Sequence, residues 1–349
     1  MNIIVQLIYE EMIVIRYYVL SRRKLYGIFL FILLAAILAV IGYQRMHSKE
    51  ISQLVMGAHI LPQYQESGED NVKKVVSDLE SYIRPSKLPI LNTRIYSNMF
   101  NMQGDGNKPY PPEKVKIPTE YFSSPEETVL NYFSILRDAE NLTADKMGGC
   151  GTVGASRYPF PLAYNFFTPE YQSRVPYEQY IKSFEGIAHT SLIRMQKLPP
   201  NQLHPQDLRY YVELETIEGS DKGVTYFAYY YGPLYIQKQG EKYLISDMQL
   251  TGEDFLCAPM HGWAYDAEAN VSTRYGYWCN MIQTLYPAQE EGFMKNIYFK
   301  GTDGFDYWIQ FMHLTNGTDV EVAQYRKDKA GKWETVYLHP EDCVKDKKR

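Results

Sequence analysis

The longest uninterrupted hydrophobic run in the chain extends from Leu25 to Tyr43 and contains no charged residue. A helix rises about 1.5 Å per residue, so this run spans roughly 28 Å, close to the thickness of a bilayer core. The basic triplet Arg-Arg-Lys at 22–24 abuts its N-terminal end, and positive charge marks the cytoplasmic side. The pattern predicts a single-pass transmembrane helix at 25–43, with 1–24 in the cytoplasm and 44–349 outside it.

A cleaved signal peptide is the alternative interpretation of this run. Signal peptides have a hydrophobic stretch of about 7–15 residues and a cleavage site of small residues. The run is longer than that, and no small-x-small sequence follows Tyr43, so an uncleaved anchor is favoured. Residues 1–24 carry an interrupted apolar pattern that fits a short interfacial helix, or equally a translation start at Met12 or later.

Residues 44–122 are expected to form a stalk and a proline-rich linker. Between Val72 and Tyr82 the apolar residues recur at roughly helical spacing, which predicts an amphipathic helix. From Pro85 to Pro118 six prolines are interspersed with Asn, Gly and Lys. That composition is typical of an extended linker, which would hold the folded part away from the membrane.

The segment 123–256 is predicted to be a domain of short helices followed by strands. A Ser-Pro-Glu-Glu sequence beginning at Ser124 is a capping box with proline at the favoured first position, and Thr168 begins a similar signal. A third helix is predicted from Tyr177. The hydrophobic period then falls from about 3.6 to 2. Strands are predicted at 190–198, 209–217, 224–237 and 242–250, with a bulge or break at Gly232-Pro233.

The segment 257–343 is predicted to be a second, smaller α+β unit, followed by a charged tail at 344–349. Residues 267–285 read as one helix. Four strands are predicted after it, and Gly-rich and Asn-Gly sequences supply the turns. These strands are 295–300, 307–314, 319–325 and 333–338. The fold class expected for the whole chain is α+β behind an N-terminal transmembrane helix.

Short helices followed by an antiparallel meander, ending in the strand Lys-Tyr-Leu-Ile-Ser-Asp at 242–247, resemble the nuclear transport factor 2-like (cystatin-like) superfamily. The resemblance covers roughly residues 123–252 and rests on the order of the elements. It implies a cone-shaped cavity between helix and sheet. Two such units behind one anchor also resemble, in layout, the extracytoplasmic scaffold proteins of conjugation and type IV secretion systems.

Some members of this superfamily place an Asp or a His in the cavity, and the resemblance implies two weak catalytic candidates here. They are Asp247 on the last predicted strand of the domain and His189 at the start of the first. A carboxylate buried in an apolar cone has a raised pKa and acts as a base. The competing and favoured interpretation is that Asp247 faces solvent, since Ile245 and Met248 do not decide which face points inward.

An aromatic run from Tyr226 to Tyr231 offers a second kind of site. Strand alternation would place Phe227, Tyr229 and Tyr231 on one face, where an exposed row of rings would hold a sugar or a partner strand. Filling of the core by these aromatic rings, together with ordinary surface tyrosines, is the favoured alternative.

The charge of the predicted exterior argues against nucleic acid as a partner. Four of the 36 basic and two of the 41 acidic residues lie within 1–43, which leaves 32 basic against 39 acidic outside, a net charge of −7. No nucleophile elbow, phosphate loop, HExxH or acidic metal loop is present. No cofactor or metal is therefore expected.

All four cysteines lie on the predicted outside, where disulfides form. We favour Cys279–Cys343, because both residues fall in the last segment and would close one small domain. Cys150–Cys257 would then join the ends of the middle domain. Free buried thiols remain the alternative.

Two functions from different classes fit these features. The first is a non-enzymatic binding or scaffold module that contacts another envelope protein or a wall component. The second is an extracytoplasmic small-ligand binder or enzyme that uses the cone of the middle domain. They differ in one observable: the second requires polar residues converging in an open pocket, whereas the first predicts a filled cone.

Overall fold

The computed structural model describes residues 54–61, 86–94, 96, 104–105, 108–147, 155–202, 204–253 and 262–347. All of them belong to one compact unit, Gln53–Arg349. The predicted span at 25–43 lies outside the described residues. Of the helices that are described, none combines the length and the apolar character needed to cross a membrane.

Strands make up most of the regular structure. In chain order they are β1 (Leu54–Val55), β2 (Ala58–Ile60), β3 (Gly104–Asp105), β4 (Lys108–Pro109), β5 (Ile187–Leu198), β6 (Leu208–Gly219), β7 (Thr225–Gln239), β8 (Lys242–Gly252), β9 (Ile282–Leu285), β10 (Gln289–Glu291), β11 (Met294–Gly301), β12 (Asp306–His313), β13 (Asp319–Lys327) and β14 (Trp333–Thr335).

The helices are short apart from the first. They are α1 (Pro125–Leu136), α2 (Phe160–Tyr164), α3 (Pro169–Arg174), α4 (Tyr177–Lys182), α5 (Ala267–Val271) and α6 (Pro340–Lys347). Single 3-10 turns lie at Pro112–Lys114, Thr119–Phe122 and Trp263–Tyr265, and a π-helical turn lies at Ser272–Trp278.

Two six-stranded sheets organise the described part of the molecule, and β3 and β4 form a separate two-stranded pair. The first has the order β1-β2-β8-β7-β6-β5, and the second has the order β10-β11-β12-β13-β14 with β9 also paired to β11. Neighbouring strands are antiparallel except β2 and β8, which are parallel. The predicted α+β class is confirmed. All eight strands predicted after residue 189 are present as β5–β8 and β11–β14, although β14 is shorter than expected.

The helix starts that the sequence predicts are confirmed by their caps. The Ser124 hydroxyl accepts a hydrogen bond from the Glu127 backbone N–H at 3.1 Å, and Thr168 accepts one from Tyr171 at 3.2 Å. Each cap satisfies a backbone donor that the first helical turn leaves unpaired. Helix α1 then buries one face completely, including Val129 and Tyr132, against the first sheet.

Two details of the predicted elements are wrong. The helix expected at 267–285 ends at Trp278, because Asn280 adopts a positive φ of 53° and the chain turns into β9. The irregularity expected at Gly232 lies instead between Tyr235 and Ile236, where β7 and β8 shift register. Gly232 serves a different purpose: a Cβ there would lie 2.0 Å from the backbone oxygen of Gln249, so only glycine permits this approach.

The expected stalk contributes to the folded unit, which corrects part of the prediction for 44–122. Strands β1 and β2 form the edge of the first sheet, where His59 pairs with Gln249. Asn92 also joins the domain, since its amide donates to the carbonyls of Phe133 and Thr190 and its oxygen accepts from Leu192. Strands of two or three residues are too short to show an alternating pattern in the sequence.

Candidate functional site

Aromatic side chains fill the space between helices α1–α4 and the first sheet. The Tyr132 ring lies 5.0 Å from Phe133 and 5.3 Å from Phe167, and Phe167 stacks on Tyr171 at 4.0 Å between centroids. The fully buried rings of this core include Phe122, Tyr132, Phe133, Phe160, Phe166, Phe167, Tyr171, Tyr180, Phe184 and Tyr210. The interior in which a superfamily cavity is expected is therefore occupied by the protein's own core.

Asp247 lies in a polar cluster and does not face open solvent. Only 5% of the residue is exposed. Its Oδ1 lies 3.7 Å from Arg174 Nη2 and 4.0 Å from His59 Nε2, while Oδ2 lies 3.8 Å from His204 Nε2. Asp247 Oδ1 is buried and has no hydrogen-bond partner. The carboxylate is thus held by charge at distances longer than hydrogen bonds.

A second carboxylate completes this cluster. Asp207 accepts hydrogen bonds from Ser246 Oγ at 2.6 Å and from Gln237 Nε2 at 3.0 Å, and it lies 3.5 Å from His204 Nδ1. The His204 ring stacks on Tyr235 with 4.0 Å between centroids. His204 is consequently fixed between two carboxylates, an arrangement that ion-pairs when the imidazole is protonated.

Sequence reasoning found Asp247 but not its neighbours. Arg174, His204 and His59 come from a helix end, a loop and the expected stalk, and no spacing in the sequence joins them. Across the described ranges, no group of three or more His, Cys, Asp or Glu side chains is arranged to hold a metal ion.

His189 lies elsewhere, on β5 opposite Ile217. Burial and the positive charge of Arg137 lower its pKa, against the opposing effect of Asp138. In the described structure no hydrogen bond or ion pair joins His189 to Asp247. The two predicted candidates do not form one site.

The aromatic row on β7 is largely covered. Tyr229 is 3% exposed, and its hydroxyl donates to Glu215 Oε2 at 2.7 Å, an oxygen that also accepts the Ser86 backbone N–H. Tyr231 packs beside Tyr211 with 6.3 Å between ring centroids. Phe227 is half-buried. Tyr229 and Tyr231 thus contact other side chains of the same domain.

Tyr231 belongs to an apolar cluster between the two sheets. Its members, which we call the intersheet cluster, are Leu198, Tyr211, Tyr231, Phe293, Met294, Met312, Leu314, Val320 and Val322. Burial of this apolar surface stabilises the contact between the outer face of the first sheet and the second sheet. The sequence predicts the strands of each sheet, but no pattern in it indicates that the two sheets pack against each other.

A charged network lies next to the intersheet cluster. Arg194 Nη1 donates to Glu213 Oε2 at 2.8 Å, and the Thr315 backbone N–H donates to Glu213 Oε1 at 2.8 Å. Arg194 also donates to the His313 carbonyl. The Thr315 hydroxyl donates to Glu253 Oε2 at 3.0 Å. Burial and the adjacent Glu213 carboxylate raise the pKa of Glu253 well above its ordinary value.

A groove of about 290 Å³ opens between the first sheet and the edge of the second. One wall contains Pro199, Pro200 and Arg209, and the other contains residues of β13 and the segment 335–339. Tyr337 bridges the walls, because its hydroxyl donates to the Pro200 carbonyl at 2.9 Å. The groove was not anticipated, since its walls come from segments more than 100 residues apart.

Two arginines line the groove and differ in their partners. Arg274 donates to Glu321 Oε2 at 2.5 Å and also pairs with Glu341. Arg209 forms no such contact within the described part of the chain, and its Nε is buried without a hydrogen-bond partner. Among the described residues, the groove therefore contains one guanidinium that is paired with carboxylates and one that has no direct carboxylate partner.

The predicted Cys279–Cys343 disulfide is present and closes 64 residues of chain. It joins the end of the π-helical turn to α6, the helix that carries Glu341 of the groove. Cys150 and Cys257 lie outside the described residues, so their pairing stays a prediction.

Comparison with protein-family models, with curated proteins and with solved structures returned no match to this chain. The resemblance to the nuclear transport factor 2-like superfamily accordingly stays a prediction from element order.

Proposed function

We propose that the chain is a single-pass membrane protein, anchored by residues 25–43, whose larger part is a non-enzymatic binding or scaffold module of the cell envelope. Its partner is another envelope protein or a wall component. The middle segment is a nuclear transport factor 2-like domain, and the bulk of the chain is extracytoplasmic.

The packed interior between helices α1–α4 and the first sheet carries this proposal. Members of the superfamily that act on small molecules need an open cone, and here that volume holds rings such as Tyr132, Phe167 and Tyr180, all at most 2% exposed. A filled core favours recognition on outer surfaces and grooves. The disulfide between Cys279 and Cys343 adds support for an oxidising compartment.

Protease accessibility tests the proposed location. Protease added to intact cells or spheroplasts should remove the 44–349 part and leave a membrane-bound fragment. A cytoplasmic membrane protein of the same cells serves as the control for intactness. Full protection of the chain while the control also survives would overturn the extracytoplasmic assignment.

Within the described residues, the Asp247 cluster favours the enzymatic alternative, because Asp247 Oδ1 is buried without a hydrogen bond beside Arg174, His59 and His204. Under the scaffold proposal, Asp247→Asn leaves the cellular function intact. Asp306→Asn, at an exposed ion pair with Lys300, is the matched control. Loss of function in Asp247→Asn, with unchanged expression and melting temperature, would favour catalysis or ligand binding at this cluster.

A further inference from the structure

We infer that the groove between the two sheets binds a small organic monocarboxylate through Arg209. The inference deepens the proposed binding function and rests on it, because it names the surface and the class of ligand. The groove holds about 290 Å³, near the lower end of the range for small-molecule sites. A ligand of this site is the size of an amino-acid derivative or a chain terminus.

The guanidinium of Arg209 identifies the group that the ligand must supply. Arg209 lies on β6 opposite Tyr235, and its guanidinium acts electrostatically on the phenols of Tyr235 and Tyr325. Arg209 lines the groove, and no described residue accepts a hydrogen bond from its Nη1 or Nη2. These two groups, and not the buried Nε, are the donors that an acceptor in the groove can reach. Guanidinium matches a carboxylate through two parallel hydrogen bonds.

The other charges of the groove limit the negative charge that a ligand can carry. Arg274 is already balanced by Glu321 and Glu341, which together carry one more charge than it does. Arg209 brings the sum of these four groups to zero, and Tyr337 and His339 are the remaining titratable side chains of the lining. A dianionic phosphate would add two negative charges beside the Glu321 and Glu341 carboxylates, whereas a monocarboxylate adds one and is repelled less.

The walls suit an organic body attached to that carboxylate. Pro199, Pro200 and Tyr337 offer apolar and aromatic surface beside the charge. Tyr337 is 42% exposed, so its ring is available to a ligand. Binding sites commonly combine such surface with a few placed polar groups.

Isothermal titration calorimetry on the full-length chain in detergent tests the inference. The probes are N-acetyltyrosine, its amide N-acetyltyrosinamide, which lacks only the charge, and inorganic phosphate. We expect N-acetyltyrosine to bind at least tenfold more tightly than the amide or phosphate. Arg209→Gln should weaken binding of the acid at least tenfold, whereas Arg326→Gln, at an exposed pair with Glu334, should leave it unchanged.

Arg209→Lys separates charge from geometry. Lysine keeps the positive charge but lacks the paired N–H donors of guanidinium. The affinity of Arg209→Lys for N-acetyltyrosine should therefore fall between those of the wild type and Arg209→Gln. If Arg209→Gln does not fold, judged by its melting temperature, the lysine variant and the acid–amide comparison still decide.

Equal binding of acid and amide, tighter binding of phosphate, unchanged affinity in Arg209→Gln, or no saturable binding of the acid would each overturn the inference. The proposed location fails separately, because protease protection in cells does not depend on this groove. If the wild-type protein is digested from outside but does not bind the carboxylate, only the groove assignment is refuted.

Discussion

Asp319 and Asp306 each pair with a lysine of the second sheet but differ in burial. Asp319 Oδ2 lies 2.9 Å from Lys295 Nζ with 2% of its side chain exposed, whereas Asp306 pairs with Lys300 at 3.2 Å with 39% exposed. Asp319 also accepts hydrogen bonds from His313 at 2.6 Å and from the Ala267 backbone N–H at 3.0 Å. A single aspartate thus joins β11, β12 and the start of α5.

We expect Asp319→Ala to lower the free energy of unfolding by about 3 kcal/mol, because it leaves Lys295 without its buried partner. Asp306→Ala should cost less than about 1 kcal/mol, as exposed pairs do. Urea denaturation of both variants measures the difference. Similar losses in the two would show that the Asp319 network adds no stability.

Glu253 gives a pH dependence of definite sign. Its pKa is raised by burial and by Glu213, so the folded state keeps a proton that the unfolded state releases near the ordinary glutamate value of about 4.3. As pH rises between those two pKa values, stability falls, by at most about 1.4 kcal/mol per pH unit. We expect Glu253→Gln to remove this loss.

Denaturation of wild type and Glu253→Gln between pH 5 and 8 checks this expectation, with Glu241→Gln at a solvent-exposed turn as the control. The control should parallel the wild type at every pH. Parallel curves for wild type and Glu253→Gln would instead mean that Glu253 is ionised in the folded protein throughout this range.

At the scale of elements, the disulfide fixes α6 against the π-helical turn at Ser272–Trp278. A crosslink that closes 64 residues restricts the unfolded chain. We expect Cys279→Ser to lower stability by roughly 2–4 kcal/mol, and Cys343→Ser to lower it equally, because either change removes the same bond. On reduction, the melting temperature of the wild type should fall to about that of the two serine variants. No difference between reduced and oxidised samples would contradict a stabilising crosslink.

Strand β6 shows what the sequence could and could not predict. The strand predicted at 209–217 is confirmed as β6, and Tyr210, Val212 and Leu214 form its apolar face in the core. Residues 210–216 are nonetheless all buried, including Glu213 and Glu215 on the other face. The second sheet and Ser86 cover that face. Alternation depends only on residues that are neighbours in the sequence. It therefore predicts neither the segments that cover this face nor the groove that they form.

The caps at Ser124 and Thr168 were predictable because the interacting groups lie three residues apart. The Asp247 cluster was only partly predictable. The superfamily resemblance pointed to the aspartate, but Arg174 lies 73 residues away in the sequence and His59 lies in β2, a strand of three residues. Contacts at such separation depend on the folded topology. Arg209 gave no signal at all, because its lack of a partner is a property of the assembled groove.

At the scale of the molecule, the two sheets are coupled through Arg194 and the intersheet cluster. The Glu213 side chain is fully buried, and its charge is balanced by Arg194, whose own side chain is 10% exposed. Removing one partner of a buried ion pair leaves the other uncompensated, which typically costs 3–5 kcal/mol. This pair joins β5 and β6 of the first sheet, and it is linked to the second sheet because Arg194 donates to the His313 carbonyl and Glu213 accepts the Thr315 backbone N–H.

We expect the wild type to unfold in one calorimetric transition, and Arg194→Met to lower stability by about 3–5 kcal/mol and to broaden or split that transition. Arg326→Met, at an exposed pair with Glu334, should cost less than about 1 kcal/mol and keep one transition. Replacing both charges, in Arg194→Met with Glu213→Leu, should recover part of the loss because no buried carboxylate is then left unpaired. If Arg194→Met costs no more than Arg326→Met, the intersheet cluster alone holds the two sheets together.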